Sequence, residues 1–181
     1  MAYQYVIIGV GKCFHIYRED GVASLVSQYP FYNCIVVTYR NSFFKDIPWY
    51  FTFFNINYVI FFVFLFLELL RFLLKPGYIN SDIISASVCG YFLLIEISTF
   101  LLQTFEYHNP HSFKGIDTSS SASIFIDLVY FCSITFTSIG FGDITPNMHI
   151  TKLITAFIGI GGQFYTVVLV GILISKFSSK N

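Results

Sequence analysis

Thr137-Ser138-Ile139-Gly140-Phe141-Gly142-Asp143 decides how this chain is read. A hydroxyl, a β-branched residue, glycine, an aromatic, glycine and an acid follow one another in an order that few structures need. Consecutive carbonyls can point toward one axis only when the backbone alternates between left- and right-handed regions, and glycine takes positive φ without steric cost. Gly140 and Gly142, spaced by one residue, meet that need. A strand of this kind can replace the water stripped from a cation with carbonyl oxygens. The expected ion sites are the carbonyls of Ser138, Ile139, Gly140 and Phe141, in a wall running from Thr137 to Gly142, with the Ser138 hydroxyl closing the inner end.

Composition sets the solvent around this strand. The chain has 181 residues, 55% hydrophobic and 11% charged, with a formal net charge of zero. That balance does not suit an ordinary water-soluble domain. It carries no basic run, which argues against a nucleic-acid partner. No basic residue precedes the first apolar stretch and no small-residue cleavage pattern follows it, so a removable signal peptide is not expected.

Around the heptad the chain divides into apolar runs. Residues 47–75 open with Pro48 and Trp49, hold no charge from Tyr50 to Leu67, and end with Glu68, Arg71 and Lys75 before Pro76-Gly77. About 20 apolar residues in a helix cross a bilayer core, so this run predicts a first span. Residues 83–106 predict a second, carrying Glu96 at mid-membrane; an ionisable residue there is a functional candidate, set against the plainer reading of a protonated, hydrogen-bonded glutamate. Residues 107–121 turn polar and read as an outer turret loop tolerant of change. Residues 122–136, capped by Ser121 or Ser123, are too short to cross and predict a half-helix whose negative dipole end faces the membrane centre. Residues 150–177 predict the last span, with Lys176 and Lys180 at its end. Positive residues at Arg71/Lys75 and Lys176/Lys180 put those two ends on the cytoplasmic side of a multi-pass cell-membrane protein. The fold class is therefore an all-α membrane protein of three or four transmembrane helices with a re-entrant pore helix and filter. Residues 1–46 hold two short apolar segments, interrupted by Lys12, His15 and Arg40, each of which could be an extra span, an interfacial helix or a remnant.

The heptad is similar to the potassium-channel filter spelling TTVGYGD, and residues 82–177 resemble the two-helix pore module of small bacterial potassium channels. The resemblance extends to IFIDLVYFCSITFTSIGFGDITP and to the step Gly162-Gln163-Phe164-Tyr165. It implies a passive potassium conductor with no cofactor other than the permeant K+, embedded in lipid. One heptad cannot enclose an ion and no internal repeat supplies others, so a cyclic homotetramer is implied. The resemblance also implies that Tyr130 braces Asp143 just past the filter. Two departures matter. Ser138 stands where threonine is usual and loses the methyl that restrains its rotamer, and Phe141 stands for tyrosine and loses a hydroxyl. These departures imply looser selectivity, which keeps a nonselective cation channel or a non-conducting subunit as alternatives.

Glycines 159, 161, 162 and 171 suggest close helix packing or a hinge, and Gly162 is the gating candidate beside Glu96. The four cysteines are scattered, with no C-x-x-C pair, and read as packing residues; His108 and His111 flank Pro110 in a solvated loop. YVIIGVGKCF lacks the third glycine of a dinucleotide fingerprint, because Phe14 occupies its place. A membrane enzyme is a more remote alternative, against which the spans offer no paired acids, no Ser-His-Asp set and no metal cluster.

Overall fold

The computed structural model describes residues 48–74 and 81–178. The expectations for residues 1–46, including a fourth span and the glycine turn near the start, lie outside the described residues, as do Lys75 and Lys180. Four helices appear in order: α1 (Pro48–Leu74), α2 (Ser81–His108), α3 (Ser121–Phe136) and α4 (His149–Ser178). Two short strands, β1 (Phe113–Lys114) and β2 (Thr145–Pro146), pair antiparallel, with Phe113 opposite Pro146 and Lys114 opposite Thr145. Among the described residues three helices are long and apolar enough to cross a membrane, and α3 is not. The fold is an all-helical membrane fold.

Proline suits the first turn of α1, where a missing N–H costs nothing. Beyond it the helix runs through aromatic and aliphatic residues without glycine or proline, and Arg71 pairs with Glu68 one turn back near its C-terminal end. Phe53, Ile60 and Phe64 face outward. Inward, Tyr58 and Phe62 both stack on Phe100 of α2, with ring centroids 5.0 and 5.7 Å apart.

Helix α2 lies at the centre and carries more buried polar groups than its neighbours. Ser87, Ser98 and Thr99 are buried. Each hydroxyl donates to the carbonyl four residues back, at 2.7, 2.8 and 2.9 Å, so burial leaves none of them unpaired. Contact with α4 is close: a Cβ on Gly90 would stand 2.1 Å from the Tyr165 hydroxyl, which donates to the Ser87 carbonyl at 2.9 Å. Tyr165 also touches Phe66 of α1, so one side chain links three helices.

The short helix begins one residue earlier than the sequence suggests. Ser120, rather than Ser121 or Ser123, is the N-cap, in extended conformation with its Oγ accepting from the Ser123 N–H at 3.0 Å. Its inner face places Leu128 and Cys132, both fully buried, in a core with Ile95, Leu102, Phe113 and Phe136. Helix α4 contributes little to that core and leaves Phe157, Phe164 and Val167 exposed along its length.

Candidate functional site

Helix α3 delivers the chain into the heptad. Thr137 is its C-cap; the Thr137 N–H and hydroxyl both donate to the Ser133 carbonyl, at 3.1 and 2.8 Å. The next residues alternate as the sequence requires. Ser138, Gly140 and Gly142 have φ of 59°, 54° and 81°, while Ile139 and Phe141 stay on the ordinary side. Alternation separates the two kinds of backbone group. The Ser138 N–H donates to Thr135 O at 3.1 Å, and the N–H groups of Ile139 and Gly140 both donate to Ile134 O at 2.9 and 3.2 Å. Among the described residues no hydrogen bond reaches the carbonyls of Ser138, Ile139, Gly140 or Phe141. Donors are thus spent on the end of α3 and acceptors remain free, which is the arrangement that coordinates a cation.

The strand is held at both ends. Beyond it, the Tyr130 hydroxyl donates to Asp143 Oδ2 at 2.7 Å. That bond is the main cause holding the Asp143 carboxyl below the usual carboxylate range, and it raises the Tyr130 hydroxyl. At the inner end, Gln163 Nε2 of α4 donates to Ser138 Oγ at 2.6 Å and to Phe136 O at 3.3 Å. Beside it a Cβ on Gly162 would meet the Phe136 ring at 2.4 Å. The glycine is what lets α4 lie against the end of α3.

A collar beyond the heptad was not foreseen. The buried Glu106 carboxylate accepts from the His111 N–H at 2.9 Å and the Phe113 N–H at 3.2 Å, folding the loop back over α2. Asn147 N–H donates to Ser112 O at 2.7 Å, and the Thr151 hydroxyl to the same carbonyl at 3.2 Å. A side chain on Gly115 would stand 2.2 Å from Asp143 O. Residues 111–115 are therefore fixed to the chain leaving the filter, contrary to the expectation of a uniformly tolerant turret. Only the glutamate at a helix end next to a proline turn hinted at this.

Glu96 lies apart from the heptad, buried in the packing between α2 and α3 near Cys132, with Oε2 unpartnered. Cys132 is a free, fully buried thiol, as a packing residue should be. No cluster of three or more metal-ligating side chains occurs among the described residues.

Comparison with known proteins agrees with this geometry. Residues 91–179, a stretch that holds most of α2 together with α3, the heptad and α4, match the ion channel family. Potassium channels are among the relatives. The chain is 31% identical over 100 residues, 55% of its length, to two-pore potassium channel 5 of Arabidopsis thaliana, and 34% identical over 68 residues, 38% of its length, to two-pore potassium channel 4 of the same plant. Identity rises to 43% over 49 residues, 26% of the chain, in two-pore potassium channel 3. The chain spans 22% of the length of the first two and 11% of the third. The similarity is to channels, not to an enzyme. These relatives are plant proteins, and the expected bacterial kinship finds no counterpart among them. No solved structure matches.

Proposed function

We propose that this chain forms a potassium-selective channel, conducting K+ passively through a filter walled by residues 137–142. The observation that carries the reading is the separation of backbone groups in the heptad, with N–H donors turned to α3 and four successive carbonyls left free. Potassium-channel relatives support the choice of ion. Four heptads must surround an axis, and a ring of four copies supplies them; the exposed flanks of Phe141, Phe157 and Phe164 fit such contacts. Membrane lipid covers the remainder, with Arg71 at the cytoplasmic side and the collar outside. Glu96 and Gly162 stand as gating candidates, Gly162 through its contact with Phe136.

A second reading, a cation channel that does not discriminate, is favoured by Ser138 and Phe141, which replace two restraining groups of the usual pattern. Purified protein in liposomes tests both. Bi-ionic reversal potentials for K+ against Na+ displaced strongly toward K+ support selectivity, and reversal near zero supports the second reading. Absence of cation flux, or a monomer in native lipid, overturns the channel reading.

A further inference from the structure

We infer that Gln163 is a positioning residue of the filter, whose carboxamide fixes the Ser138 hydroxyl as the innermost oxygen offered to the dehydrated cation. The inference rests on the proposed channel function and assigns to α4 a part in ion choice.

Three observations meet at this point. The amide orientation is set by its partners: Phe136 O can only accept, so the nitrogen must face it, and the same Nε2 then reaches Ser138 Oγ at 2.6 Å. Ser138 needs holding. Its φ of 59° is one that L-residues avoid, and its side chain lacks the methyl that narrows the rotamers of threonine. A serine hydroxyl that accepts one N–H keeps a second lone pair, so the bond orders the oxygen without consuming it. Finally, Gln163 is within reach because Gly162 has no side chain to hold α4 away from the Phe136 ring. The pair acts together: the glycine permits the approach and the glutamine uses it.

The consequence is chemical. An oxygen held from behind resists moving inward to the shorter distances a sodium ion demands, whereas a free serine rotor follows the smaller ion. The chain thus replaces an intraresidue restraint, the threonine methyl, by a hydrogen bond from a residue 25 positions away.

The test uses the full chain in liposomes and the variants Gln163→Met, Gln163→Leu and Ser138→Thr, alone and combined. Gln163→Met keeps the length of the side chain and removes the donor; Gln163→Leu guards against a fault peculiar to methionine. Each should assemble like the wild type on native gels and lower the K+/Na+ permeability ratio about three- to tenfold, the equilibrium factor of one neutral hydrogen bond. Ser138→Thr should change little alone and restore the ratio in the Gln163→Met background, which a merely structural role for Gln163 would not produce. A selective wild type whose ratio is unmoved by both glutamine variants, or a loss that threonine fails to rescue, overturns the inference and leaves the channel reading standing. A wild type that passes no cation overturns both.

Discussion

At its outer end the heptad passes through Asp143 into a collar built from many fixed contacts, whereas its inner end, capped on α3, meets the long helix α4 through the neighbouring residues Gly162 and Gln163. The collar uses buried backbone bonds: Glu106 to two N–H groups, Ser112 O to Asn147 and Thr151, and a two-residue strand pair. The inner attachment uses one amide and one ring contact, both made by a long helix. The difference teaches where movement can enter. Displacing the outer end requires breaking several bonds together, while a small shift of α4 changes both inner contacts at once.

The comparison breaks most severely at Glu106. Glu106→Leu strands the buried Phe113 N–H, an unsatisfied donor costing about 1–3 kcal/mol, and removes the half-buried bond to the His111 N–H, and should lower the unfolding temperature of the assembled protein in detergent more than any change at the inner end. A wild-type melting curve would show that the collar is not what secures the outer end. Gly162→Ala comes next. Its methyl group enters the Phe136 ring, an overpacking that costs about 1–3 kcal/mol, and should alter open probability in single-channel recordings and, by moving Gln163 away from Ser138, lower the K+/Na+ ratio as well. Unaltered gating would remove Gly162 from the gating candidates.

A milder effect is expected at Tyr130. Tyr130→Phe removes the donor to Asp143 but leaves the collar intact, and should speed inactivation during sustained current without changing the K+/Na+ ratio. If inactivation is untouched, the brace is abandoned. The smallest effect sharpens the same point by titration. Asp143 is held low by Tyr130, so the bond's contribution is complete above the ordinary carboxylate range and is lost as pH falls through the depressed value in the folded protein. Current should stay constant as the outer bath is acidified into the ordinary carboxylate range and decline only below that range, and in Tyr130→Phe the decline should begin at higher pH. Coincident curves for the two proteins would separate Asp143 from Tyr130.

The features legible in the sequence are those written in consecutive residues. The heptad announces its alternation through Gly140 and Gly142, the spans announce themselves through uncharged length, and the short helix through its own shortness. What escaped detection depends on contacts between distant positions. Gln163 meets Ser138 across 25 residues, Thr151 meets Ser112 across 39, and Tyr165 meets Ser87 across 78. None leaves a periodic trace, since a glutamine, a threonine or a tyrosine in an apolar helix looks alike whether or not it has a partner. Hydropathy likewise gave three similar spans. Only the structure shows that α2 is the enclosed one, its hydroxyls turned back on its own carbonyls, while α1 and α4 present bare apolar faces.

One detail of the heptad reaches beyond natural amino acids. Apart from the adjoining residues, no atom of the described chain lies within 4 Å of where a Cβ would stand on Gly140 or Gly142, so crowding by the rest of the fold is not what reserves these positions for glycine. Chirality is: φ of 54° and 81° suits the mirror-image residue and strains the ordinary one. A D-alanine installed there by semisynthesis would leave this stretch of backbone in its present shape, whereas the L-enantiomer, identical in size, would force it out.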